Sequence, residues 1–353
     1  MNSHPLTIGF LGSQRRGSDP RALACAMRSM GHLLIEYSYD EFLPQQWRHP
    51  ALKAVRRILR PFFAADYNRS VLQLLGAPLD FLLVFKGMLL DSRTLLAFRE
   101  REIPCYLFYP DVSFKDHGDN ILDCLPLYDH IFTTKEFHLS GDSDEASSRR
   151  MTLVKHGADP EVHRPIDLSD RMVTHYSCDV SFVGCWSPKK ERHLITLLES
   201  LPGINLRIWG GGWERACLKV RASWTGRGAW GDELALIYRA SKINLGLLSE
   251  AGGGVNSGDL TTARTWQIPA SGGFLLHEDT KEFRNSFVPE CEAAVFASLT
   301  EMVRQVERFL VDGSGRSCMA AAGRERWERE NYSYEAAAGE ILRKFRIDAQ
   351  KNR

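Results

Sequence analysis

Apolar residues in this chain gather in short runs, separated by stretches in which they recur every three or four positions. The runs Thr7–Gly12, Leu33–Tyr37, Phe81–Phe85, Pro104–Tyr109 and His130–Thr133 have the length and the β-branched or aromatic content of strands. Unbroken runs such as FLLVF suit parallel strands covered on both faces. Between them ALACAMRSMG, Leu52–Leu75 and Leu89–Arg101 carry helical spacing, and Pro61 is predicted to divide the second into two helices. The polar stretch Ser140–Arg150 reads as a surface loop or disordered insertion, and MTLVKHGADPEVHRP contains one more strand before a Pro-bounded exit. The alternation then resumes, with strands at Asp179–Gly184, Asn205–Gly210 and Ile243–Leu248 and helices at His193–Leu201 and Glu233–Ala240. This predicts two doubly wound α/β domains, 1–165 and 166–332, followed by a helical segment, 333–353, that packs toward the first.

A length of 353 residues agrees with two cores. With 44% hydrophobic and 25% charged residues, the composition is that of an ordinary globular protein. Forty-five Lys+Arg against 44 Asp+Glu leave a net charge of +1, which excludes a global field drawing the protein to nucleic acid or to an anionic membrane; any anion must be bound locally. The eight cysteines form no C-x-x-C pair and read as reduced, mostly buried thiols, with no metal site implied. LTIGFLG is too short for a secretory signal, and no apolar stretch nears the roughly 20 residues of a membrane span, so cytoplasmic residence is predicted. The segment LKAVRRILRPFF (Leu52–Phe63) holds four cations and six large apolar residues. It fits a helix packing its apolar side on the first sheet, or one resting weakly on the inner face of an anionic membrane.

Candidate chemistry collects at strand ends. After Val180–Gly184 the turn CWSPKKER opens a helix, where Gly184, Lys189, Lys190 and Arg192 suit a diphosphate; a solvated basic helix start fits the same residues. The Gly-rich stretch Ala251–Arg264 offers Asn256, Ser257, Gly258, Asp259 and Thr261, and is not a Walker sequence. Arg264, Thr265 and Gln267 follow on a helix that Ser271-Gly272-Gly273 closes into the strand Phe274–Leu276. In the first half Gly12, Lys86, Asp111 and His117 lie at or near strand ends, where they would line a cleft; Asp111 or His117 would act as base or orienter, and an Asp capping a turn and a surface His fit the same residues. His156 is a further cleft residue, while Trp213, Trp224, Arg227 and Trp230 fall near the predicted base site, though core packing explains the tryptophans as readily.

RTWQIPASGGFLL (Arg264–Leu276) resembles the R-x-F-E-I-x-A-C/S-G-x-F-L-L segment of the spore-maturation-protein CgeB-like glycosyltransferases. The segments VFKGMLLD, YPDVSFKD, YDHIFTTKEF, VKHGADPEVHRP, DVSFVG and IYRASKINLGLL follow that group's order over roughly Phe81–Tyr332. The resemblance implies a GT-B fold, two Rossmann-like domains facing a central cleft with the C-terminal helix crossing back to the first. It further implies a retaining, metal-independent transfer from a nucleoside diphosphate sugar to a hydroxyl acceptor, with no tightly bound cofactor. Asp259 and Gln267 then fall at the family's two Glu positions and Lys190 near its Lys. Cys185 stands where many relatives place Arg, with Arg192 or Arg264 as substitutes. Two other readings stay open: a protein that binds sugar nucleotide or glycan without turnover, and a sugar-nucleotide epimerase.

Overall fold

The computed structural model describes residues 4–43, 50–114, 118, 120–140, 150–249 and 258–351. The chain divides into two compact units, 1–155 with 334–353, and 156–333. The division falls before the Pro165 exit read from the sequence, because the segment after Lys155 is built into the second unit. The Ala158 amide donates to the Tyr332 carbonyl, and the Ala158 side chain joins that unit's core.

In the first unit the described residues form a six-stranded parallel sheet ordered β2-β1-β3-β4-β5-β6. Its strands are β1 Thr7–Leu11, β2 Leu33–Tyr37, β3 Phe81–Phe85, β4 Cys105–Tyr109, β5 His130–Thr133 and β6 Met151–Leu153. Every residue of β3 and β4 is buried, as the unbroken apolar runs require. Helices Asp19–Ser29 and Tyr334–Lys351 cover one face, and the second core cluster, on Tyr67, Val71, Leu95 and Phe98, fills the other.

Two local readings change. Pro50–Leu72 is one helix passing through Pro61, not two. Pro61 is exposed, so water can take the carbonyl that its missing N–H leaves unpaired. The next helix is Ser92–Glu100 rather than Leu89–Arg101: Leu89 has a left-handed φ of 66°, and Asp91 caps the helix by accepting from the Thr94 amide at 2.7 Å.

The second unit has a five-stranded parallel sheet among the described residues, ordered β11-β10-β9-β7-β8. These are β7 Cys178–Val183, β8 Leu206–Trp209, β9 Ser241–Gly246, β10 Leu275–Glu278 and β11 Ala294–Phe296. All eight cysteines are free, but Cys185, Cys217, Cys291 and Cys318 are exposed, against the mostly buried expectation. They lie in turns or on a helix surface, positions that apolar patterning does not mark. No helix among the described residues is long and apolar enough to cross a membrane.

Candidate functional site

In each sheet the strand order reverses direction at one place, between β1 and β3 in the first unit and between β7 and β9 in the second. Crevices at the carboxyl ends of strands flanking such a switch are the preferred ligand sites of open parallel sheets.

In the second unit this place is spanned by Arg264, on helix Ala263–Ala270. Its Nη1 donates to the Val183 carbonyl at the end of β7 (3.0 Å), and its Nη2 to the Leu247 carbonyl just past β9 (2.5 Å). The guanidinium lies 5.0 Å from the centre of the Phe182 ring. Two of its five N–H groups are used in these bonds; the buried Nε has no partner among the described residues. Burial lowers the Arg264 pKa from its ordinary value, with Asp259 among the groups opposing the shift. The side chain approaches this closely because residue 184 is glycine. A Cβ there would stand 2.7 Å from Arg264 Nη1 and 2.8 Å from the Phe182 ring. Gly184→Ala is therefore expected to displace the guanidinium and lower stability by about 1–3 kcal/mol, read as a fall in Tm with weaker nucleotide binding.

Lys190 enters from helix Pro188–Ser200, whose N-cap Ser187 accepts from the Lys190 amide at 3.4 Å. Only 4% exposed, its Nζ donates to the Cys185 carbonyl (3.2 Å) and to Ser249 Oγ (3.0 Å). Burial, reinforced by Arg264, pulls its pKa down to about 8; Asp259 and Cys185 partly oppose this. Asp259 is itself buried, with its amide donating to the Ser249 carbonyl at 3.0 Å. Lys190 and Arg264 thus flank the Gly184–Cys185 turn beside a buried acid. This arrangement places positive charge at a helix start, where an anionic ligand is best held.

The other candidates divide. Lys189 bonds Glu278 at 2.6 Å, and the second Glu278 oxygen accepts from the Leu248 amide, so Lys189 braces β9 against β10. Arg192 is exposed, two residues beyond Lys190 and hence on another side of the helix. Thr265 is committed internally: its Oγ1 accepts from the Thr262 amide and donates to His277 Nε2 at 2.9 Å. Burial holds His277 down to about 4, so the ring is neutral, with Nδ1 bonded to the Glu278 carbonyl. Thr261 and Gln267 are buried, Gln267 one turn past Arg264. Gly258 is described; Asn256 and Ser257 lie outside the described residues. Trp213 is buried and donates to the Gly184 carbonyl, Trp224 donates to the Gly210 carbonyl, and Arg227 pairs with Glu233, whereas Trp230 is 50% exposed. Patterning did not single out Ser249, Glu278 or His277; the first two act on lysines 59 and 89 positions away.

In the first unit Lys86 follows β3 with a left-handed φ of 65°, a conformation costly for a non-glycine residue. Buried Asn68 braces this turn through the Leu89 carbonyl and Asp91 amide. Lys86 Nζ pairs with Asp111 at 2.7 Å. Burial works against the ammonium, but Asp111, Tyr39 and Asp19 together hold its pKa above the ordinary value. Burial raises Asp19, a residue the sequence pattern did not single out, to about 6, partly offset by Lys86 and a hydrogen bond from Tyr334. Gly12, at the end of β1, leaves a Cβ only 2.7 Å from Pro20. His156 is buried at the start of the second unit; His117 lies outside the described residues. No cluster of three or more His, Cys, Asp or Glu among the described residues is arranged to hold a metal ion.

Two parallel α/β sheets, each with its candidate site at a switch point, make a GT-B-like architecture. The chain is similar to sucrose-phosphate synthase from Thermosynechococcus elongatus, at TM-score 0.64 and 13% identity, over 98% of this chain and 100% of that one. It is also similar to the Anabaena protein HepE in complex with UDP-glucose (TM-score 0.61, 10% identity, 96% and 100% coverage). UDP-GlcNAc 2-epimerase from Neisseria meningitidis, bound to UDP-GlcNAc, is more distant (TM-score 0.51, 11% identity, 96% and 98% coverage). At these identities the likeness defines the fold. Residues 189–343 match the family model described as glycosyl transferase-like. No curated protein sequence matches the chain.

Proposed function

We propose that the protein is a glycosyltransferase that moves a sugar from a nucleoside diphosphate sugar to a hydroxyl acceptor. The observation that carries this reading is the seating of Arg264 and Lys190, both within the glycosyl transferase-like match at 189–343, around the Gly184–Cys185 turn at the switch point of the second sheet. Charge accumulating on the leaving diphosphate is what preorganised cations stabilise best, because their geometry is fixed before the bond breaks. With Lys190 and Arg264 supplying that charge, the reading is of a metal-independent transfer, of the CgeB-like subtype and with retention at the anomeric carbon. Asp259 and Gln267 contact the donor, Gln267 offering hydrogen bonds to hydroxyls where the family has a carboxylate.

Acceptor recognition is assigned to the first unit, with Lys86 holding the Asp111 carboxylate in place to orient a hydroxyl or accept its proton. HepE holds UDP-glucose and the epimerase holds UDP-GlcNAc, so uridine donors are the first to test.

Thermal unfolding with UDP-, GDP-, CMP- and dTDP-sugars tests the donor class. A ligand at 100 times its Kd stabilises the native state by about 2.7 kcal/mol, and one donor family is expected to raise Tm. Transfer to an acceptor panel in the presence of a chelator then tests the activity. Binding without transfer or hydrolysis would assign the protein to the non-catalytic reading, and product from donor alone would assign it to the epimerases.

A further inference from the structure

The helix Pro50–Leu72 is turned inside out along its first half. Its second half is anchored, with Tyr67 and Val71 buried in the first unit's core. In its first half Leu52, Val55, Ile58 and Phe62 recur at spacings of three and four, which puts them on one side of the helix. That side faces out: Ile58 is 72% exposed, Phe62 68%, Val55 42% and Leu52 41%. The expectation that this segment packs its apolar side on the sheet is therefore corrected. Arg56, Leu59, Arg60 and Phe63 are the half-buried positions, and Arg57 is exposed on the side away from the apolar row. Four large apolar residues held outward at successive turns form a contiguous patch rather than scattered exposed side chains.

We infer that this face docks the protein onto an anionic lipid bilayer. Charge decides among the occupants. The sequence from Pro50 to Ala65 carries Lys53, Arg56, Arg57 and Arg60 and no acidic residue. The single carboxylate of the helix, Asp66, lies further along and is paired with Arg69 at 3.2 Å. Arg56, Arg57 and Arg60 lie beside and behind the apolar row within a Debye length of anything seated on it, so a second copy would set like charge near like charge, whereas a lipid surface rich in phosphate attracts them while taking up Ile58 and Phe62. A row of apolar side chains beside an exclusively cationic polar face is the pattern of helices that lie in the membrane interface. The net charge of +1 conceals this local excess. The inference does not rest on the donor site and stands or falls separately from it.

Sedimentation of the full chain with phosphatidylcholine vesicles, with and without phosphatidylglycerol, tests it. The protein is expected to sediment with the anionic vesicles, to be released as salt rises, and to stay in solution with phosphatidylcholine alone. The pair Ile58→Glu and Phe62→Glu should reduce partitioning by more than about tenfold, since each buried apolar side chain of this size contributes about that factor or more. These residues are exposed, so Tm and soluble-donor binding should be unchanged in the variant. A second pair, Arg56→Gln and Arg57→Gln, should weaken binding to anionic vesicles while keeping Ile58 and Phe62. Equal sedimentation with both vesicle types, or wild-type partitioning of the Ile58/Phe62 variant, would overturn the inference. So would a concentration-dependent dimer abolished by that variant, which would give the face to a second copy.

Discussion

Arg264→Ala is expected to lower kcat/KM for glycosyl transfer by about 100- to 1,000-fold, the usual loss when one preorganised charge-stabilising group is removed. The side chain has two tasks, and the measurement separates them. It ties the Val183 carbonyl to the Leu247 carbonyl across the β7–β9 switch. Hydrogen bonds from a charged donor contribute about 1.5–3 kcal/mol, so Tm should fall as well. Arg264→Lys keeps a charge but loses the planar fork that reaches both carbonyls while leaving N–H groups for a ligand. It should therefore recover much of the nucleotide affinity and little of the turnover. Steady-state kinetics with thermal unfolding on both variants reads the split. A kcat/KM for Arg264→Ala within about threefold of wild type would remove Arg264 from the chemistry, since such a change is under 1 kcal/mol.

The second large effect is in pH. With Lys190 held down to about 8 by burial and by Arg264, the free protein carries its charge at neutrality and loses it as pH rises through 8. A bound diphosphate favours the ammonium and raises that pKa, so binding above pH 8 must take up a proton. Linkage then weakens binding by up to tenfold for each further pH unit. Between pH 7 and pH 9.5 the Kd for a nucleoside diphosphate should rise by about 10- to 30-fold. Lys190→Ala should bind weakly at both pH values and show no such slope, and calorimetric titration across the range checks both. A slope that persists in Lys190→Ala would place the titrating group elsewhere.

The inner strands β3 and β4 were legible because strands covered on both faces are apolar without interruption, and FLLVF and CYLFY have no polar face to hide. β11 is three residues long, too short to show a period, and helix Gly313–Arg329 carries three glycines and many charges, so neither stands out in the pattern. The outward turn of Ile58 and Phe62 was illegible for a different reason. Helical spacing shows that a face exists, but tertiary contacts at Tyr67 and Val71 decide which way it points.

At the site, Gly184, Lys190 and Arg264 were marked by their positions after apolar runs. Their settings were not, because they depend on partners distant in sequence. Ser249 and the Cys185 carbonyl fix Lys190, and Glu278 draws off Lys189. His277 converts Thr265 from a candidate ligand contact into a buried brace, and only pairing β10 beside β9 brings that histidine near. Arg192 shows the converse: a cation with the right spacing in sequence lies on the wrong side of its helix.

The proposed transfer requires a diphosphate bound by Arg264 and Lys190. Calorimetric titration of UDP, and of the other nucleoside diphosphates, into the wild-type protein and into folded Arg264→Ala and Lys190→Ala variants tests this directly. Saturable binding of one diphosphate by the wild type, weakened by tenfold or more in each variant, is the predicted result. Wild-type affinity in both variants, or no binding of any nucleoside diphosphate by the wild type, would contradict it.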